Sequence, residues 1–357
     1  MTRPPAHFSA HDAHDEPRAG GLSGVGVVFA VLALLFTGVL ILRAGAWTRF
    51  TPLQAVTAVA FDALLVLLVI ATRRSRAPRA RFAGRFAANR AAVAGAVVLV
   101  AMTAMVVLAP VISGDPADMG AGQRYAAPGG GHPLGTDRFG RDVWARVAHG
   151  GEVSLALCIM AVGLGTLLGV LIGTAAGTAG RRTDDVLMRV VDGMLSFPRI
   201  LLLLMVAALA APGVWTLGIS LAATGWMGIA RIVRGEVRRM REREFVDAAI
   251  ASGVGKMGLV WRHLLPNTVG PVVVAATLNA GTVILLESSL SFLGFGVQPP
   301  TPSWGAMVFE GRDALHTAWW VSAWPALAIT LAAAAFNLVG DGLRDAFNAR
   351  ASSGAAR

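Results

Sequence analysis

Long uncharged stretches alternate with short polar ones along this chain. The apolar runs cover residues 22–42, 91–114, 153–180, 200–230 and 317–340. A helix of roughly 20 such residues crosses about 30 Å of hydrocarbon, so the pattern predicts an all-α polytopic membrane protein. A further apolar stretch at 53–72 follows the first run. Ala211, Pro212 and Gly213 divide the run at 200–230, because Pro-Gly ends a helix and two spans then fit. The reading is eight spans, at 22–42, 53–72, 91–112, 153–179, 187–210, 214–232, 268–290 and 321–340. Residues 113–152, with Gly129, Gly130, Gly131 and several prolines, are too polar to cross and too long for a hairpin turn, so an exposed loop is expected there.

Composition sharpens this picture. Hydrophobic residues make up 55% of the 357 and charged ones 15%, a balance that points to the bilayer as solvent. The net charge of +10 is almost all arginine. Its placement argues against a nucleic-acid partner: residues 73–90 carry seven arginines and no acid between two apolar runs, the pattern of a cytoplasmic loop under the positive-inside rule. Residues 231–267 hold eight further arginines and lysines, and an even span count then places both termini in the cytoplasm. The expected organisation is a disordered tail over 1–21, an additional two-span hairpin over 22–72, the Arg-rich loop over 73–90, a core over 91–345 and a tail over 346–357. His7, His11 and His14 read as part of the solvated tail. Cys158 is the single cysteine, so neither a disulfide framework nor a thiolate metal site is expected.

Within the loop at 231–267 the chain reads REREFVDAAIASGVGKMGLVWRHLLPN. Phe245, Val246, Ala249 and Ile250, and then Met257, Val260, Trp261 and Leu264, recur at helical spacing. Two short amphipathic helices meeting at Gly253 are expected, with Pro266 opening the next span. Asp247, Ala248, Ala249, Gly253, Leu265 and Pro266 together resemble the EAA loop of permease subunits in binding-protein-dependent ABC importers. Asp247 stands where Glu is usual, and His263 where an aliphatic residue is usual. The segments HPLGTDRFGRDVWARVAHGGEVSL, RIVRGEVRRMREREFVDAA, ESSLSFLGFGVQPPTPSWG and FNLVGDGLRDAFNAR resemble the dipeptide/oligopeptide/nickel branch, the DppC/OppC type.

That resemblance implies a type I ABC importer permease fold with a six-span core, in the inner membrane of a bacterial cell. It implies partners: a homologous second permease, two ABC ATPase subunits and an extracytoplasmic substrate-binding protein. The cargo would be di- or oligopeptides or a related solute such as a nickel chelate. Glu244, Phe245, Asp247, Ala248, Ala249, Gly253, His263, Leu265 and Pro266 would form the ATPase-coupling loop. No cofactor is expected on this chain, and ATP and Mg would sit on the partner ATPases. SGVGKMG lacks the spacing and the Ser/Thr of a phosphate loop. With no nucleophile elbow and no HExxH helix, catalytic and metal-binding residues are unassigned and the chain reads as a permease rather than an enzyme.

Acids in apolar runs are costly unless they face protein or water. Glu287, with Ser288 and Phe292, is a candidate for the pathway or its gate, or else a structural hydrogen-bonding group. Asp62 reads as locally satisfied, and Asp192 and Arg199, seven apart, as a pair on one helix face. In the outer loop, Asp137, Arg138, Arg141, Asp142 and Arg146 either dock a binding protein or pack the loop over the pore mouth. An ion-coupled secondary transporter and a non-transporting membrane scaffold are the alternative functions.

Overall fold

The computed structural model describes residues 78–120, 123–209 and 213–354. The tail at 1–21, the hairpin at 22–72 with Asp62, and most of the Arg-rich loop lie outside them. The regular elements among the described residues are helices, and five of them are long and apolar enough to cross a membrane, or six if one bent pair counts as a span. Six is the number expected for the core.

A short helix, α1 (Pro78–Ala88), leads into α2 (Arg90–Ile112), whose N-cap Asn89 accepts a hydrogen bond from the Ala92 amide. The third helix, α3 (Val143–Thr178), begins ten residues before the expected span. Asp142 caps it by accepting from the Trp144 amide. Its first turns are buried rather than exposed, Arg146 and Glu152 included. Polarity therefore marks an internally satisfied segment here, not a solvated loop.

At 36 residues, α3 is about 54 Å long, and one of its faces carries glycine every fourth residue. A Cβ on Gly169 would lie 2.8 Å from the Ile229 side chain, one on Gly173 2.5 Å from the Ala230 carbonyl, and one on Gly177 2.7 Å from Val237. Only glycine lets the two backbones approach this closely.

The expected span at 187–210 is two helices, α4 (Arg181–Leu195) and α5 (Arg199–Leu209), bent by 84° at Ser196, Phe197 and Pro198. Proline cannot donate a helical hydrogen bond and disfavours helical geometry in the residue before it. The amphipathic α4 lays Met188 and Val191 against Ala176, Trp226 and Ala230. The next span is likewise interrupted: α6 (Val214–Ala223) and α7 (Trp226–Arg241) meet at Thr224 and Gly225. α7 continues to Arg241, well into the stretch expected as loop, because Val233, Val237 and Met240 keep one face buried.

After α8 (Glu244–Ala251), the chain turns and enters α9 (Lys256–Leu259). α9 passes through a π-helical turn at Val260–Leu264 directly into α10 (Leu265–Phe292). The expected separate second amphipathic helix is thus the first part of a continuous 37-residue helix. The π turn shifts the hydrogen-bond register just before Pro266, where an α-helical carbonyl would meet the proline ring. α11 (Trp304–Gly311) is a short helix in the connection, and α12 (Trp320–Gly354) runs past the expected span end into the tail. The core is built around α3, with the fully buried Trp304 donating its indole N–H to the Val147 carbonyl at 2.9 Å.

Candidate functional site

At one end of the bundle, α8 is fixed to the spans by a small apolar cluster. Val246, 1% exposed, packs with Ile229, Val233, Val237 and Met240 of α7 and with Leu264 at the π turn. The face expected to be continuous is therefore divided. Val246 and Ala249 point inward, whereas Phe245 and Ile250 are exposed, Ile250 by 56%. Across the turn, Leu264 is buried and Met257 and Trp261 are exposed, Trp261 by 63%. Large apolar side chains thus flank the loop on its outer side. Glu244, Asp247 and Ala248 are exposed beside them, and the two acids sit in the first turn of α8, where the helix dipole favours negative charge.

Gly253 closes α8 at φ +81°. Its amide donates to the Ile250 carbonyl at 2.9 Å and the Val254 amide to the Ala249 carbonyl at 3.1 Å, the paired bonds of a Schellman cap. A Cβ at Gly253 would touch nothing within 4 Å, so the requirement for glycine is the backbone angle and not space. The carbonyl of half-buried His263 accepts from the Asn267 side chain. Leu265 is half-buried and Pro266 exposed at the start of α10.

The opposite end of α3 carries an ion cluster. Arg141 Nε donates to Asp137 Oδ2 at 2.6 Å, and Arg146 Nη1 donates to the same oxygen at 2.7 Å and to Glu310 Oε2 at 2.8 Å. Arg141 Nη2 reaches Glu310 Oε2 at 2.9 Å. All four side chains are nearly inaccessible, so two cations and two anions neutralise one another. Burial pushes the Glu310 carboxyl up, but the hydrogen bond from Arg146 and the charges of Arg146 and Arg141 outweigh it and hold the group below its usual range.

Asp137, Arg141 and Arg146 are buried and paired with one another and with Glu310. Asp142 is occupied as a helix cap, and Arg138 is exposed beside Phe139. Glu310 was not anticipated; it is 164 residues from Arg146 and no local motif announces it.

Glu287 is fully buried and accepts hydrogen bonds from three hydroxyls, Ser291 at 2.9 Å and Ser154 and Ser288 at 3.3 Å. The bond from Ser154 links α10 to α3. Ser288 and Phe292 instead line a groove of about 430 Å³ with residues of α11 and α12.

Asp192 and Arg199 do not pair. The 84° bend lies between them, so Asp192 meets Arg231 while Arg199 turns toward Thr224, Asn279 and Leu221. A second ion pair unseen in the sequence joins α4 to α7: Asp184, almost fully buried, accepts from Arg234 and, at 3.0 Å, from Arg238.

The sequence that folds in this way matches a known family model. The model of the binding-protein-dependent transport system inner membrane component covers residues 165–353, more than half of the chain. The chain belongs to this permease family. A second model, the N-terminal TM domain of oligopeptide transport permease C, matches residues 78–128 of the permease.

Among curated relatives, the dipeptide transport system permease protein DppC of Bacillus subtilis (strain 168) is 37% identical over 266 residues. That alignment covers 74% of this permease and 83% of the relative. A Brucella abortus biovar 1 (strain 9-941) protein named "Putative peptide transport system permease protein" is 40% identical over 280 residues, 77% of this permease and 93% of the relative. A peptide permease homologue from Brucella suis biovar 1 (strain 1330) is 41% identical over 280 residues, 78% and 93% of the two chains.

Proposed function

We propose that this permease forms, with a homologous second permease, the translocation pathway of a bacterial inner-membrane importer for di- or oligopeptides. Transport is driven by ATP and Mg on two separate ABC ATPase subunits, and cargo arrives from an extracytoplasmic binding protein. Both termini and the loop around α8 lie in the cytoplasm.

One observation carries this reading. α8 is bolted by Val246 to α7 and by the π turn to α10, while Phe245 and Ile250 on α8, and Met257 and Trp261 beyond the turn, remain exposed. A cleft on an ATPase that grips those side chains therefore moves two spans at once. The exposed apolar groups supply affinity, Glu244 and Asp247 orient the helix, and the Gly253 cap fixes the angle. Ion coupling would require a carboxylate open to the pathway, and among the described residues the candidate Glu287 is enclosed by hydroxyls.

The test is uptake of labelled di- and tripeptides into proteoliposomes holding the whole complex, with and without ATP. Uptake that needs ATP and survives collapse of the proton gradient supports the reading. Uptake that follows the gradient, or no co-purification of ATPase subunits with this chain, overturns it.

A further inference from the structure

Among the described residues, Arg199 is the guanidinium that the fold sets among the spans without an acid. Its contacts are Thr224 Oγ1 at 3.3 Å, Asn279 Oδ1 at 3.2 Å and the Leu221 carbonyl at 3.1 Å. All three acceptors are neutral, and no carboxylate among the described residues pairs with it. Thr224 lies near the middle of the span Val214–Arg241, and Asn279 near the middle of Leu265–Phe292, so the charge sits at mid-membrane depth.

Donors there outnumber acceptors. A guanidinium has five N–H groups, of which three are used. The Asn279 amide nitrogen is buried and has no hydrogen-bond partner among the described residues. Gly225 leaves the space: a Cβ on it would lie 2.9 Å from Arg199 Nη2.

Part of this arrangement has a local explanation, since the Leu221 carbonyl belongs to the last turn of the interrupted α6 and needs a donor. That bond leaves the charge uncompensated. Arg199 is only half-buried, and an arginine facing hydrocarbon at this depth costs about 2.5–3.5 kcal/mol even on the lenient insertion scales. Its open side therefore faces water or another subunit. Among the described residues, a second copy of this chain brings no free acid to that depth, because Glu287 is enclosed and Asp192 is held by Arg231.

We propose that Arg199 and Asn279, seated by Thr224 and Gly225, form a mid-membrane site for a carboxylate of the cargo. Resting on the peptide reading above, this makes the free C-terminus of the peptide the group recognised in the pathway. A planar carboxylate takes two parallel N–H donors from a guanidinium, and the idle Asn279 amide adds a third.

The experiment compares ATP-driven uptake of a tripeptide and of its C-terminal amide by the complete complex in proteoliposomes. Each peptide is supplied at a concentration that saturates the binding protein. The wild-type complex should favour the free acid by about tenfold or more. Arg199→Gln should bring the acid-to-amide ratio to about one, Arg199→Lys should restore part of it, and Asn279→Ala should lower it several-fold. An unchanged ratio in Arg199→Gln and Asn279→Ala, or equal rates for the two peptides in wild type, overturns the site. Loss of complex assembly in Arg199→Gln with the preference intact in Asn279→Ala assigns the arginine to subunit pairing and likewise overturns it. A wild-type complex that takes up neither peptide refutes the peptide reading itself, and the carboxylate site falls with it.

Discussion

Single side chains decide how the ends of the bundle are held. Glu310 joins the two arginines of the outer-loop cluster, and removing one member of a buried ion group strands its partners at a cost of about 3–5 kcal/mol. Glu310→Gln should therefore lower the unfolding temperature of the purified protein and open the loop at 123–142 to protease. The depressed Glu310 carboxyl adds a pH dependence. A group whose folded value lies below its ordinary 4.5 contributes in full above that value and loses its contribution as pH falls through the lower one. Protease protection of the loop should accordingly be flat above about pH 5 and decline below 4.5; a decline that begins near neutrality would rule out Glu310 as its origin. None of this could be read from residues 132–152 alone, where alternating charges suit an exposed docking loop equally well. The neutralising partner comes from a helix more than 160 residues on.

Elements respond to spacing and caps, which is where the chain was most readable. Local chemistry announced the Gly253 corner, since a glycine after an apolar helical face marks a left-handed cap, and the structure has one there. Gly253→Ala should cost about 1–2 kcal/mol of local backbone strain with no steric clash. Membrane insertion should then be normal, and peptide uptake per ATP hydrolysed should fall several-fold; unchanged coupling would remove the loop's role. The glycine stripe on α3, at every fourth residue from Gly165 to Gly177, drew no expectation from the sequence, because only the packed structure shows what it touches. Gly173→Leu would drive a side chain into the Ala230 carbonyl, with an expected loss of about 1–3 kcal/mol in unfolding measurements. Breaks were harder to foresee. Phe197-Pro198 lies inside the expected span 187–210 and Thr224-Gly225 inside the apolar run 200–230.

For the whole molecule, hydropathy made the helical membrane class legible, because the bilayer imposes both length and polarity on every crossing segment, whereas the six-span core was implied by the family resemblance. It could not assign facing partners, which is why the Arg199 cluster and the Asp184 pair emerged only from the packed bundle. Sidedness is the prediction at this scale. A cysteine placed at Ile250 should react with a membrane-impermeant thiol reagent only in inside-out vesicles, whereas one at Arg138 should react only in intact spheroplasts. The reverse pattern would invert the permease and separate α8 from any cytoplasmic motor. α3 joins these two surfaces: its first turn is clamped by the buried charges, and at its far end Arg241 donates to the Gly177 carbonyl at 2.9 Å. A rod of this length pivoting about its middle by about 10° displaces each tip by roughly 5 Å in opposite directions. A cargo carrier pressing on the mouth and a nucleotide engine pulling at the base would then be working the two arms of one seesaw, and neither could shift without the other registering it.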